Sequence, residues 1–187
     1  YGQMCDMRRL KSLADKYDLK IIEDAAHCLE GERDGVRVGE LGDLACFSFY
    51  ATKNLTCGEG GAVTCHDKAI YDWFKKASLH GMSKNAADRY TKKYEHYDME
   101  FLGYKCNMSN ISAALLLNQI DHIEEFRKKR QNVFEQYKNG FAGNRYLGRP
   151  IVLPNSRHTH HLYTVWVKPE KRDEYMEDIQ KEGIGIG

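Results

Sequence analysis

In the stretch CFSFYATKNLTCGEGGAVTC, residues 46–65, one lysine stands where a side chain can do chemistry. Lys53 follows the run Cys46, Phe47, Ser48, Phe49, Tyr50, which reads as a strand with Ser48 facing away from its phenylalanines. Gly58, Gly60 and Gly61 come just after, and glycines let a backbone approach a ligand closely. Asp24 ends another short apolar run, LKIIED, and open α/β sheets gather ligand groups at the C-terminal ends of their strands. A lysine amine whose pKa is lowered by burial or a nearby cation forms a Schiff base with a carbonyl compound. Pyridoxal phosphate is the commonest such partner, and it needs an anion for its ring nitrogen and donors for its phosphate. A lysine in a loop is ordinarily just solvated. Ser48, Asp24 and the glycines lift Lys53 above that reading.

These residues need strands and helices to position them. Met7, Leu10, Leu13 and Ala14 recur at helical spacing over residues 7–17, with Asp6 as the N-cap. LKIIED predicts a short buried strand, and Asp34-Gly35 predicts the tip of a hairpin. A helix is expected from about Asp67 to Leu79. Residues 80–106 read as a long polar and aromatic loop, unusual in a compact domain unless it is functional or ordered by a partner. From Ser109 to about Tyr137 one long helix is predicted, with Leu116, Ile120, Ile123, Phe126, Val133 and Tyr137 along its apolar face. A strand, HLYTVWVK, and a helix from about Lys171 to Lys181 follow. Helices alternating with short apolar strands indicate an α/β layer.

The totals narrow the function classes. With 187 residues, 42% of them hydrophobic and 29% charged, the chain reads as globular. A net charge of +1 gives no electrostatic reason to expect nucleic acid or an anionic membrane surface. No apolar run has the length of a membrane span and no signal peptide opens the chain, so a cytoplasmic protein is expected. The six cysteines contain no C-x-x-C, and Cys46 and Cys106 are expected to pack as small hydrophobes. His158, His160 and His161 read as a surface loop entering the strand rather than as a metal site, and no metal is expected.

The motifs IIEDAAHCLE and GDLACFSFYATKNLTCGEGGAVT together resemble the DegT/DnrJ/EryC1/StrS family of pyridoxal-phosphate sugar aminotransferases. YGQMCDM, HGMSKNAADRY, GYKCNMSNISAALLLNQI and HLYTVWV…KEGIGIG fall in the family's order, so the resemblance covers essentially the whole chain. It implies an α/β fold of the aspartate-aminotransferase type, fold type I. Residues 1–125 would be the C-terminal part of the large cofactor-binding domain. Residues 126–187 would be a linker helix and the start of the small domain, in a chain truncated at both ends. The implied roles are residue by residue. Lys53 is the Schiff-base lysine, Asp24 pairs with the pyridine nitrogen, His27 lies beside the ring, and Ser48 donates to the phosphate. Asn107, with Lys105 in reserve, would reach the phosphate bound by a neighbouring subunit.

The activity the resemblance implies is transfer of an amino group, with glutamate as donor, to a nucleotide-linked keto-deoxysugar for polysaccharide or amino-sugar synthesis. Its partners would be that nucleotide sugar, the amino-acid donor, and a second copy of the chain in a homodimer with shared sites. Two alternatives stand beside it. One is a related sugar dehydratase, in which histidine replaces the lysine that is present here as Lys53. The other is a non-catalytic or regulatory relative, against which the joint presence of Asp24, Ser48 and Lys53 argues.

Overall fold

The computed structural model describes residues 1–83 and 96–186. Helix α1 spans Met7–Tyr17, and the Asp6 side chain accepts a hydrogen bond from the Arg9 amide at 3.0 Å, satisfying one free donor of the first turn. Met7 and Ala14 turn inward as predicted, but Leu10 and Leu13 are exposed. The helix rests on a small cluster of Met4, Met7, Cys28 and Val36, too narrow to cover a wider stripe.

Strand β1 is Ile22–Asp24 and β4 is Leu44–Ser48; they run parallel, with Asp24 opposite Cys46. Strand β5, Gly61–Cys65, returns antiparallel to β4, pairing Ser48 with Gly61 and completing the order β1-β4-β5. The expected buried strand at LKIIED is therefore corrected. It is three residues long and Ile22 is 65% exposed, because β1 is an edge among the described strands. Ala45, in the middle strand, is wholly buried.

Between β1 and β4 lies the hairpin of β2, Glu32–Arg33, and β3, Val36–Arg37. Asp34 and Gly35 both take positive φ, 51° and 75°, as a two-residue turn matched to strand twist demands. A distant strand, β6 at Ser156–Arg157, adds to β2. Helix α2 spans Lys68–Ala77, capped by Asp67, which accepts from the Ala69 and Ile70 amides.

The long helix expected after Ser109 is two helices, α3 at Asn110–Asp121 and α4 at Ile123–Gly140. At His122 (φ −106°, ψ 8°) the ring Nδ1 bonds the Asn118 carbonyl at 2.8 Å, and the His122 amide turns to the Gln119 carbonyl. A side chain competing for the carbonyl four residues back ends the first helix. Of the predicted apolar face, Leu116 is buried, Ile123 and Phe126 are half-buried, and Ile120, Val133 and Tyr137 are exposed. Phe134 takes the buried position on α4.

HLYTVWVK does not form the predicted strand. Its pairing among the described residues is one bridge, Gly148 with Trp166, because no neighbouring strand offers a longer edge. A 3₁₀ turn at Pro169–Lys171 leads into helix α5, Arg172–Lys181. Cys106 is exposed rather than packed in apolar surroundings, since it leaves the stem described next.

The predicted loop 80–106 is organised at its base. Leu79 pairs with Lys105 and Met82 with Met99, and the His80 amide donates to the Tyr104 carbonyl at 2.7 Å. Trp73 of α2 stacks on Phe101 at 5.8 Å and 5°, fixing the stem to the helix. Residues 84–95 of the predicted loop lie outside the described residues.

Candidate active site

Strand β4 ends at Ser48, and the chain then makes a closed loop before β5. The Phe49 amide donates to the Gly60 carbonyl at 2.8 Å, and the Cys57 amide donates to the Phe49 carbonyl at 3.0 Å. Within this collar the Lys53 amide bonds the Tyr50 carbonyl at 2.9 Å, a tight turn that sets Lys53 near the tip. Phe49, Leu55 and Cys57 are buried together with Leu116 of α3 and act as the loop's feet. Gln119 of α3 clasps the Thr56 backbone from both sides. Its Oε1 accepts from the Thr56 amide at 3.1 Å, and its Nε2 donates to the Thr56 carbonyl at 2.8 Å.

Two of the three glycines serve the loop's own packing. A Cβ at Gly60 would lie 2.5 Å from the Cys57 sulfur and 2.7 Å from that of Met108, and one at Gly61 would lie 2.7 Å from the Phe47 carbonyl oxygen. Gly60 and Gly61 admit the protein's own atoms, and Gly58, at φ 83°, has open space where its Cβ would be.

Parallel pairing of β1 with β4 carries Asp24 to the same end of the sheet as Ser48, and the Ala25 amide extends the ladder to the Cys46 carbonyl at 2.9 Å. Asp24 is exposed, with one carboxylate oxygen accepting from the Ala26 amide at 3.1 Å. Ser48 Oγ accepts from the Tyr50 amide at 3.3 Å, which leaves its hydroxyl proton free to donate. Lys53 is half-buried, and among the described residues its ammonium has no ion pair and no hydrogen bond. His27 is half-buried, its imidazole held below the usual value first by burial, then by the Lys53 ammonium, with Asp24 opposing. Asp24, His27 and Lys53 thus share one electrostatic neighbourhood.

Lys105 and Asn107 are not brought to this group. Both are exposed, and the Lys105 ammonium bonds the Asn107 side-chain oxygen.

The histidine segment after β6 is corrected most. It is not a surface loop: His158 is buried, and Thr159, 0% exposed, is the largest fully buried side chain among the described residues. Thr159 Oγ1 donates to the His27 carbonyl at 2.7 Å. His161 packs its ring 4.3 Å from that of His27, tilted by 43°, and its Nδ1 lies 3.0 Å from Asn54 Oδ1. Burial, reinforced by His27 and the Lys53 ammonium, pushes His161 down to about 4. Asn54 also donates to Glu30 at 3.2 Å and to the Thr159 carbonyl at 3.3 Å. The Glu30 side chain, almost wholly enclosed, is ion-paired with Arg130 of α4, whose Nε donates to the Thr159 carbonyl at 3.0 Å. Sequence reasoning missed His161, Asn54, Glu30, Thr159 and Arg130. The one available signal was that Asn54 adjoins Lys53 and that His161 belongs to a cluster weighed only as a metal site. Among the described residues no three of His, Cys, Asp and Glu are grouped to hold a metal ion.

As a set, these side chains fit a phosphorylated aromatic aldehyde. They comprise an amine with no partner among the described residues, a carboxylate with spare acceptor capacity, a hydroxyl free to donate, and a flat imidazole beside them. The family model for the DegT/DnrJ/EryC1/StrS aminotransferases matches residues 1–187. The spore coat polysaccharide biosynthesis protein SpsC of Bacillus subtilis is 39% identical over 91% of this chain and 44% of its own length. The UDP-4-amino-4,6-dideoxy-N-acetyl-beta-L-altrosamine transaminase of Campylobacter jejuni is 31% identical over 99% of this chain and 48% of its own. Among solved structures, Spr1654 of Streptococcus pneumoniae in its PMP-form superposes with a TM-score of 0.87 at 30% identity, covering 97% of this chain and 52% of that one. The same protein was also solved in a PLP-form. This chain spans about half the length of the curated relatives it matches.

Proposed function

This chain belongs to the DegT/DnrJ/EryC1/StrS aminotransferase family, with the fold of the type I pyridoxal-phosphate transferases, and we propose that it serves amino-group transfer to a nucleotide-linked keto-sugar. The observation that carries this reading is the convergence of Lys53, Asp24, Ser48 and His27 at one end of the β1–β4 pair. The names of the relatives, a transaminase of a UDP-linked amino-sugar and a polysaccharide biosynthesis protein, support the substrate class. Glutamate is the donor we propose.

Lys53 would hold the cofactor covalently, and the loop that carries it is anchored on Leu116 and Gln119. Asp24 would hold a proton on the ring nitrogen, with its carboxylate oriented by the Ala26 amide. The Ser48 hydroxyl would donate to the phosphate, and His27 would flank the ring. Pyridoxal phosphate, when bound, supplies the aldehyde and the electron-withdrawing ring for the transfer. The Lys53 amine would also serve as the general base and acid that moves a proton during the transfer.

We further propose that residues 1–125 belong to the large domain and 126–187 to the linker and small domain. The protein would act in the cytoplasm as a homodimer in which Asn107, or Lys105, reaches the partner's cofactor phosphate. No helix among the described residues is long and apolar enough to cross a membrane. Leu102, 90% exposed, and Ile111, 81% exposed, flank Lys105 and Asn107, an apolar surface suited to burial against a second chain.

The test is to load the full polypeptide with pyridoxal phosphate, reduce it with borohydride, and map the labelled peptide. Label at Lys53, with turnover of a nucleotide keto-sugar in the presence of glutamate, is expected. Label at another lysine would overturn the site, and label at Lys53 without transfer would leave the fold but remove the activity.

A further inference from the structure

The Lys53 site ends on a histidine whose protonation pattern is dictated from the interior. Asn54 donates through Nδ2 to two acceptors, a Glu30 carboxylate oxygen and the Thr159 carbonyl. Neither acceptor can donate, so the amide cannot be turned over, and Oδ1 must face His161. An amide oxygen only accepts. The His161 nitrogen 3.0 Å away, Nδ1, is therefore the one that bears hydrogen. Glu30 is fixed in turn by the Arg130 guanidinium, which is anchored on the same Thr159 carbonyl. In this way a chain of contacts runs from α4 through a buried carboxylate and an amide to an imidazole beside His27.

The other ring nitrogen, Nε2, has no hydrogen-bond partner among the described residues and is not sealed from solvent. In a neutral ring with hydrogen on Nδ1, that nitrogen carries a lone pair. We infer that Glu30 and Asn54 are positioning residues that hold His161 in the Nδ1–H tautomer, so that its Nε2 accepts a hydrogen bond from a hydroxyl or ammonium group brought to the Lys53 site. The groups around the ring keep it neutral as well: Lys53, Arg130 and His27 all disfavour a further positive charge there, on top of burial. For what the lone pair serves, this rests on the proposed amino transfer, where a sugar hydroxyl or the Lys53 ammonium would be the donor. The tautomer itself does not.

The experiment is nitrogen NMR on the full polypeptide with labelled histidine, the His161 signals being assigned by their loss in His161→Gln. The expected result is hydrogen on Nδ1 and a bare Nε2 at neutral pH. In Asn54→Ala the fixed pattern should give way to a mixture of tautomers, with KM for the hydroxyl-bearing substrate raised more than kcat is lowered. Hydrogen on Nε2 in the unaltered protein would overturn the inference without any variant. So would an unchanged tautomer in folded Asn54→Ala. Were transfer itself absent while the Nδ1–H pattern stood, the function would fail and the positioning role would survive.

Discussion

The loop carrying Lys53 and the stem carrying Lys105 and Asn107 are both irregular, yet they are held by different means. The Lys53 loop has backbone bonds across its base and is also tied by side chains to distant segments: Gln119 clasps Thr56, Leu55 and Cys57 sink beside Leu116, and Asn54 ties into the Glu30–Arg130 pair. The stem is held by backbone bonds between its two legs, by the Trp73–Phe101 stack and by the Lys76–Glu100 ion pair, while Lys105 and Asn107 reach into solvent. Side-chain anchoring fixes a reactive atom in three dimensions. Backbone pairing fixes a path and leaves the side chains to find a partner. The contrast is the one the proposed roles would require, with Lys53 serving its own chain's site and Lys105 or Asn107 serving a partner's.

The largest effect expected from breaking this contrast is at the tip of the anchored loop. Lys53→Ala removes the amine and leaves the anchors untouched. Transfer should fall by about 10³-fold or more, since a positioned general acid–base group contributes about 10²–10⁴-fold. The visible absorbance of covalently held cofactor should vanish, while the unfolding midpoint stays near that of the unaltered protein. Asp24→Asn should keep that absorbance but lower turnover about 10- to 10³-fold, because a nearby carboxylate is worth about 1–3 units of a cation's pKa. Near-normal turnover in Asp24→Asn would make Asp24 a structural residue.

How much of this was legible beforehand follows the range of the interactions. Helix α1 with its Asp6 cap, the Asp34-Gly35 turn and helix α2 rest on neighbours a few residues apart, and all were readable. The meeting of Asp24 with Ser48 was readable as a motif, since both sit at strand ends. The Asn54 network was not, because it joins Glu30, Asn54, Arg130 and Thr159 from four distant segments, and no local pattern marks a buried carboxylate. The break at His122 was missed because the ring's bond to Asn118 is a choice between two donors that spacing alone leaves open. The absent strand at 161–168 shows the same limit: alternation specifies a strand, but a strand needs an edge to pair with.

The anchors themselves come next in size. Arg130→Met would keep an unbranched apolar stem and strip Glu30, nearly wholly enclosed, of its counter-charge. Removing one partner of a buried pair costs about 3–5 kcal/mol. Arg130→Met should therefore lower the denaturation midpoint strongly, and pairing it with Glu30→Leu should restore much of the loss. No recovery in the double variant would mean that Arg130 acts through the Thr159 carbonyl rather than through Glu30. Gln119→Leu is milder. It fills the space but abandons the half-buried Thr56 amide and carbonyl, costing about 0.5–1.5 kcal/mol for each lost bond. Because the clasp sits three residues from Lys53, its loss should also slow transfer, although no catalytic atom has been touched. Equal stability with slower transfer would separate positioning from folding more cleanly still.

The smallest effect on the isolated fold, and the sharpest test of the comparison, belongs to the stem. Lys105 and Asn107 are exposed and bond each other, so Lys105→Ala with Asn107→Ala should change stability by no more than about 0.5 kcal/mol. If their work is done at a partner's phosphate, the double variant should nonetheless lose cofactor affinity and transfer. Coexpressing it with Lys53→Ala subunits then decides where the residues act. A hybrid dimer contains one site with an intact Lys53 and an intact stem from the other chain, so partial activity should return although each parent is inactive. Hybrid dimers confirmed by mass that remain inactive would mean each stem serves its own chain. The exposure of Lys105 and Asn107 would then require the stem to fold back toward Ser48 when the cofactor binds.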